Sequence, residues 1–230
     1  MDQLTKEFFS NKFPGFQKEI ISIPKDVLET NVPVVVIPLD IDTKYLLSLA
    51  KTLEMTQHVQ KTYPYEKVSR MLNWFSQILW SEGTVSPFAD IYYKKSLPPC
   101  PVLVPVDNIL LIKEYIENFG ISIDLCILSK FGPNGYVAPH RDISFKTRPL
   151  GYFWLPLNMP MGSELKVYPT GSIDVKLGNL YLLNQENFVH AFRNNSDEDR
   201  YVILGYIKSA EQPLTEKIKK EILANYPLTD

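Results

Sequence analysis

From Ile121 to Lys208 the apolar residues fall in short runs separated by turn residues. IDLCILSKF is followed by GPNG, then YVAPH, YFWLPLN, ELKVYP, GSIDVKL, GNLYLLN, FVHAF and RYVILGYI. About seven or eight short strands at a spacing of roughly ten residues predict an antiparallel sandwich or barrel. The first half has a different period. Leu46, Leu49, Ala50 and Leu53 recur at helical spacing, and Val68, Met71, Leu72, Phe75, Ile78 and Leu79 repeat it, with Gly83 as a stop. A third helix runs from a capping Asp107 through Ile109, Ile112, Ile116 and Phe119 to Gly120. The β-branched run VPVVVI (Val32 to Ile37) reads as a strand, and the proline-rich SLPPCPVLVP as a connector. After Pro213, Leu214 and Thr215 open a last helix that buries Ile218, Ile222 and Leu223. The expected organisation is one compact domain, mainly β with α flanks. A helical region over 1–119 packs on a β core over 120–209, and a C-terminal helix occupies 210–230.

With 230 residues, the chain has room for one sizeable domain. Its 24 basic and 26 acidic side chains leave a formal charge of −2, which gives no field for a polyanion, so nucleic acid is not an expected partner. The two cysteines, Cys100 and Cys126, are too few for a disulfide framework or a thiolate zinc site, and they suggest a reducing compartment. MDQLTKEFFSNKF lacks the unbroken apolar stretch of a signal peptide, and the most apolar runs are too short to span a bilayer. The expectation is a cytoplasmic protein with no membrane partner. Oligomeric state is not legible.

Three histidines are present: His58, His140 and His190. In an extended strand, residues two apart share a face. His140 and Asp142 can thus offer an imidazole nitrogen and a carboxylate oxygen to one ion, and His190 can join them from a later strand. Two histidines and one carboxylate form the facial triad of non-haem Fe(II) sites, with open positions for other ligands. An isolated H-x-D occurs often by chance, and a strand histidine is more often a packing residue; His58, at the end of a helix, is also read as a packing residue. Gly132 and Gly135 flank a Pro-Asn pair as in a turn. Gly178 suits a turn before NLYLLN, and Cys126 alternates in a strand as a small buried apolar residue.

The surrounding motifs change the odds. SKFGPNGYVAPHRD, LPLNMPMGSEL, GNLYLLN and VHAFRNNSDEDRYVILGYI, spanning roughly Asp124 to Ile207, resemble the 2-oxoglutarate- and Fe(II)-dependent dioxygenases of the aspartyl/asparaginyl β-hydroxylase type. That group also includes the proline cis-hydroxylases. The resemblance implies a double-stranded β-helix (jelly-roll, cupin-like) core. It implies Fe(II) on His140, Asp142 and His190, with 2-oxoglutarate and O2 completing the site and no catalytic side chain beyond the metal ligands. Some members carry glycine in place of the carboxylate; here Asp142 is present. Arg200, ten residues after the distal histidine, matches the arginine that grips the far carboxylate of 2-oxoglutarate. A planar guanidinium does this with two parallel hydrogen bonds. Ser129 matches a serine on the same carboxylate. Arg148 falls near a family arginine behind the metal strand. Tyr152 and Asn158 are inward candidates on the next strand, Tyr152 for the co-substrate or core packing and Asn158 for substrate. Arg141, between the two ligands, faces away.

The implied function is hydroxylation of an amino acid or an amino-acid residue of the Asp, Asn or Pro type, with release of succinate and CO2. The substrate is then a small molecule or a peptide or protein. An alternative is a non-catalytic cupin-like domain that binds metal or 2-oxoglutarate without turnover. In a further alternative, the helical half is a module for docking a protein partner.

Overall fold

The computed structural model describes residues 33–57, 71–81, 112, 114–116, 118, 123–141, 152–168, 170–185 and 187–207. Ten strands are found among them: β1 (Val34–Pro38), β2 (Thr56–Gln57), β3 (Met71–Ser81), β4 (Ile123–His140), β5 (Tyr152–Pro156), β6 (Ser163–Val167), β7 (Gly171–Ser172), β8 (Asn179–Leu183), β9 (His190–Asn194) and β10 (Arg200–Ile207). They are linked in the order β1-β8-β5-β10-β4-β9-β6-β7, with β3 also on β4 and β2 on β3. Every pairing is antiparallel.

The key strand is β4, 18 residues long. Its first part pairs with β10, placing Phe131 opposite Arg200 and Ser129 opposite Val202. Its last part pairs with β9, placing His140 opposite His190. One strand thus passes from the β1-β8-β5-β10 layer to the β9-β6-β7 layer and joins them as a double-stranded β-helix. This is the fold expected for the β core.

Side-chain alternation sorts the apolar residues into two clusters, one on each face of the larger layer. The interior cluster lies between the layers: Trp154, Tyr181, Val202 and Leu204 from one side meet Leu165, Val167 and Phe192 from the other. The outer cluster contains Cys126, Leu128, Phe153, Leu155, Leu182 and Ile203, covered by Leu46 and Ala50 of helix α1 (Thr43–Ala50) and by Ile112 and Ile116. Full burial of such side chains contributes roughly 1.5–3 kcal/mol each. With both faces covered, β5 reads YFWLP, buried at every position rather than alternating with polar residues. α1 starts at Asp42, whose Oδ1 accepts from the backbone N–H groups of Lys44 and Tyr45, each at 3.1 Å.

Three sequence expectations require correction. Residues 71–81 form a strand, not a helix. Trp74, Ser76 and Ile78 are buried with period two. Register breaks between Leu72 and Trp74 and between Ile78 and Trp80 each add a residue, so the apolar spacing imitates a helix. The sheet therefore takes strands from the half read as helical. Second, GPNG is not a turn between two strands but a bulge within β4. Trp74 pairs with Phe131 and Leu72 with Tyr136, so residues 132–135 oppose Asn73 alone. Asn73 Nδ2 donates to the Pro133 carbonyl at 2.9 Å. A Cβ on Gly135 would lie 2.8 Å from the Gly132 carbonyl oxygen and 3.0 Å from that of Asn73, which is why glycine is needed there. Third, GSIDVKL contributes only the two residues of β7.

Other expectations hold where they can be seen. The run VPVVVI supplies β1, Gly178 turns into β8 at φ +87°, and Ile112 and Ile116 lie in helical backbone at 0% exposure. The proline-rich connector and the C-terminal helix fall outside the described residues. No helix among the described residues is long and apolar enough to cross a membrane.

Candidate functional site

Cross-strand register brings the two imidazoles together. His140 ends β4 and His190 begins β9; they are Cα partners, with ring centroids 4.3 Å apart. A register break between Val137 and His140 adds one residue to β4 and turns His140 to the interior face, beside His190. Both rings are held in the same manner. His140 Nδ1 lies 2.8 Å from the carbonyl of Ala138, and His190 Nδ1 lies 3.4 Å from that of Phe188. Donation from Nδ1 to a carbonyl fixes the tautomer and leaves Nε2 as the lone-pair nitrogen, the arrangement that prepares an imidazole for a metal. His58, Asp142 and Arg148 lie outside the described residues. Among the described residues no group of three or more His, Cys, Asp or Glu side chains converges.

The opposite end of the interior holds Arg200. It heads β10 opposite Phe131, and its side chain is 0% exposed. The guanidinium carbon lies 3.7 Å from the ring centre of Phe192, 4.6 Å from that of Trp154 and 5.9 Å from that of Phe131. None of its Nε, NH1 and NH2 has a hydrogen-bond partner among the described residues. Burial pushes its pKa well below the ordinary arginine value. Even so, a guanidinium does not give up its proton in proteins, so the charge stays. Cation–π contact of about 0.5–2 kcal/mol per ring offsets part of the lost hydration. The N–H donors still lack acceptors, a strong demand on a buried group.

A cavity runs from the two imidazoles to the aromatic rings that pack on Arg200. Its wall includes His140, His190, Tyr152, Trp154, Phe131 and Phe192, and no acidic side chain is among its lining residues. Nothing described there competes for the arginine. The residues therefore fit a ligand that is anionic at one end and meets a metal at the other. Ser129 is fully buried on the same face as Arg200, two residues before Phe131, and its Oγ accepts from Trp74 Nε1 at 3.3 Å. Tyr152 faces inward on the wall, as expected. Asn158 does not. Its Nδ2 donates to the Asp199 carbonyl at 2.9 Å and its Oδ1 accepts from Tyr201 N–H at 2.7 Å, so it ties the loop after β5 to β10 and is not among the lining residues of this cavity. Arg141 is exposed.

Sequence reasoning missed the aromatic enclosure of Arg200 and the role of Asn194. The signal was the two-residue period. Phe131 follows Ser129, Trp154 follows Tyr152, and Phe192 and Asn194 follow His190, each on the same face. Asn194 is fully buried. Its Nδ2 donates to the carbonyls of Phe131, Gly132 and Glu198 at 3.0, 3.0 and 2.8 Å, and its Oδ1 accepts from Ser163 and Ser196 hydroxyls, each at 2.7 Å. One amide thus fastens the β4 bulge to the loop that delivers Arg200. Asn194→Ala leaves three carbonyls without this donor and is expected to destabilise the fold by about 3 kcal/mol or more, measured by denaturant unfolding.

No protein-family model matches the chain, and no curated protein does. Solved structures do. An oxidoreductase of the 2OG-Fe(II) oxygenase family from Burkholderia pseudomallei is 12% identical, with 76% of this chain and 84% of that chain covered and a TM-score of 0.47. A prolyl hydroxylase from Trichoplax adhaerens, in complex with a hypoxia inducible factor oxygen degradation domain peptide fragment, is 12% identical over 85% of this chain and 88% of that one, also at 0.47. A Pseudomonas putida prolyl-4-hydroxylase is 13% identical over 77% and 93%, at 0.44. The chemistry of the site is set by the side chains above and does not depend on these likenesses.

Proposed function

We propose that the chain is a non-haem Fe(II)- and 2-oxoglutarate-dependent oxygenase that hydroxylates an amino acid or an amino-acid residue. The observation that carries this reading is the fully buried Arg200. Its guanidinium nitrogens lack partners among the described residues, and it lies against Phe131, Trp154 and Phe192, which line the same cavity as two pre-oriented imidazoles. A 2-oxo acid with a second carboxylate meets both demands, because one end chelates a metal and the other accepts from a guanidinium. His140 and His190 would hold the metal through Nε2, and the H-x-D spacing makes Asp142 the third ligand. When bound, iron and 2-oxoglutarate supply the activation of dioxygen, with succinate and carbon dioxide released. The chain binds and orients these groups. Arg200 grips the far carboxylate, and the aromatic and aliphatic wall excludes water, which strengthens that ion pair.

Purified protein given Fe(II), 2-oxoglutarate and O2 should form succinate, and a screen of free amino acids and Asp-, Asn- or Pro-containing peptides should find the pool that stimulates it. Asp142→Ala should reduce that succinate to background. Failure of the unaltered chain to bind 2-oxoglutarate in the presence of a divalent metal would overturn the proposal.

A further inference from the structure

We infer that Trp74, contributed by β3 in the first half of the chain, is a positioning residue for the far carboxylate of the dicarboxylic co-substrate and acts through Ser129. This inference rests on the functional reading above. Trp74 lies opposite Phe131 across the β3–β4 ladder, and its ring stacks on the Phe131 ring at 5.6 Å and 9°. It lines the cavity, and its indole Nε1 lies 3.3 Å from Ser129 Oγ in a buried contact.

An indole N–H can only donate, so in this pair the serine oxygen must be the acceptor. That assignment settles where the hydroxyl proton goes. A serine hydroxyl in a strand is free to rotate among staggered positions and can be lost to a nearby carbonyl. With a lone pair of Oγ engaged by Trp74, the proton has to point elsewhere. The hydroxyl makes no other hydrogen bond among the described residues, and Ser129 is 0% exposed, so the proton is not directed to bulk solvent. Ser129 sits on the interior face, diagonal to Arg200 on the neighbouring strand. A serine proton and the guanidinium N–H groups thus form a nest of donors without an acceptor among the described residues, and Trp74 makes the serine a donor in it. The first half of the chain is then part of the co-substrate pocket rather than only a cover for the β core.

The test is a double-mutant cycle read by binding, with the protein loaded with Mn(II) in the absence of oxygen. Trp74→Phe keeps an aromatic ring to stack on Phe131 and removes the N–H together with the five-membered ring that carries it; binding of the oxo acid that lacks the far carboxylate controls for the lost bulk. The change is expected to weaken 2-oxoglutarate about 3- to 10-fold, while binding of Mn(II) alone, and of 2-oxopentanoate, which lacks the far carboxylate, stays unchanged. In a Ser129→Ala background the same Trp74→Phe change is expected to have no further effect on 2-oxoglutarate. Unchanged 2-oxoglutarate affinity in Trp74→Phe, equal weakening of both oxo acids, or full weakening that persists without Ser129 would each overturn the inference. If the unaltered chain binds no 2-oxoglutarate, the functional reading falls, and this inference with it.

Discussion

Arg200→Met is expected to abolish 2-oxoglutarate binding and, at the same time, to raise the melting temperature of the ligand-free protein. The two effects have one cause. The guanidinium is fully buried and has no hydrogen-bond partner among the described residues, so the unliganded fold carries a dehydrated charge packed against aromatic rings. Replacing a buried charged arrangement by an apolar side chain of similar volume often stabilises a fold by about 1–4 kcal/mol. For a chain of this size that is on the order of 2–4 °C per kcal/mol. Methionine is unbranched and packs well against the rings of Phe131, Trp154 and Phe192. The ligand, by contrast, loses two charge-assisted hydrogen bonds of about 1.5–3 kcal/mol each, a drop in affinity of roughly a hundredfold or more. Thermal denaturation with and without 2-oxoglutarate reads both effects. The unaltered protein should gain about 2.7 kcal/mol at a ligand concentration a hundred times Kd, and the variant nothing. A ligand-free variant that melts lower and still responds to 2-oxoglutarate would refute the assignment.

His190→Ala and His140→Ala are each expected to remove iron binding and with it all succinate formation. Disrupting a group that merely orients a metal-ligating imidazole already costs about 10- to 100-fold in affinity or activity, and deleting the imidazole would remove one of the proposed ligands outright. The fold should tolerate the change. Both rings are only partly buried and sit at strand ends, so their loss leaves a small gap beside the cavity rather than a hole in the core. Anaerobic equilibrium dialysis against Fe(II), alongside a thermal melt of the metal-free protein, separates the two. The expected outcome is a melt shifted by only a degree or two and iron retention lowered at least a hundredfold. Retention equal to that of the unaltered chain would rule out these imidazoles as ligands.

Much of the β-helix was legible because its strands alternate or are buried on both faces, as in YFWLP and RYVILGYI. The two imidazoles were legible as candidates from their spacing and the resemblance it supports. What failed did so for local geometric reasons. β3 was unreadable because its two register breaks convert a period of two into an apparent 3.6. That error hid Trp74, which looked like one more residue on a helix. The bulge at residues 132–135 has the composition of a reverse turn, and only the pairing of its flanks with Leu72 and Trp74 reveals that the strand continues. Asn158 has the right position in sequence for a pocket residue, but its amide is taken by backbone groups of Asp199 and Tyr201. Arg200 was found by its distance from His190. That its nitrogens have no hydrogen-bond partner among the described residues is a three-dimensional fact that no spacing encodes.

The continuity of β4 has one more consequence. Because Ser129 and His140 belong to a single strand, that strand works as a ruler between the proposed anion-binding and metal-binding ends of the interior, and on that proposal its length would set the span of the molecule that fits between them. The ruler has an expandable joint. Pro133 and Asn134 project into solvent at the tip of the bulge, so chain length can change there while the marks on either side keep their places. Between Tyr136 and His140 the ladder with β9 already holds one extra residue, which turns the imidazole inward, so one more would turn it to the opposite face.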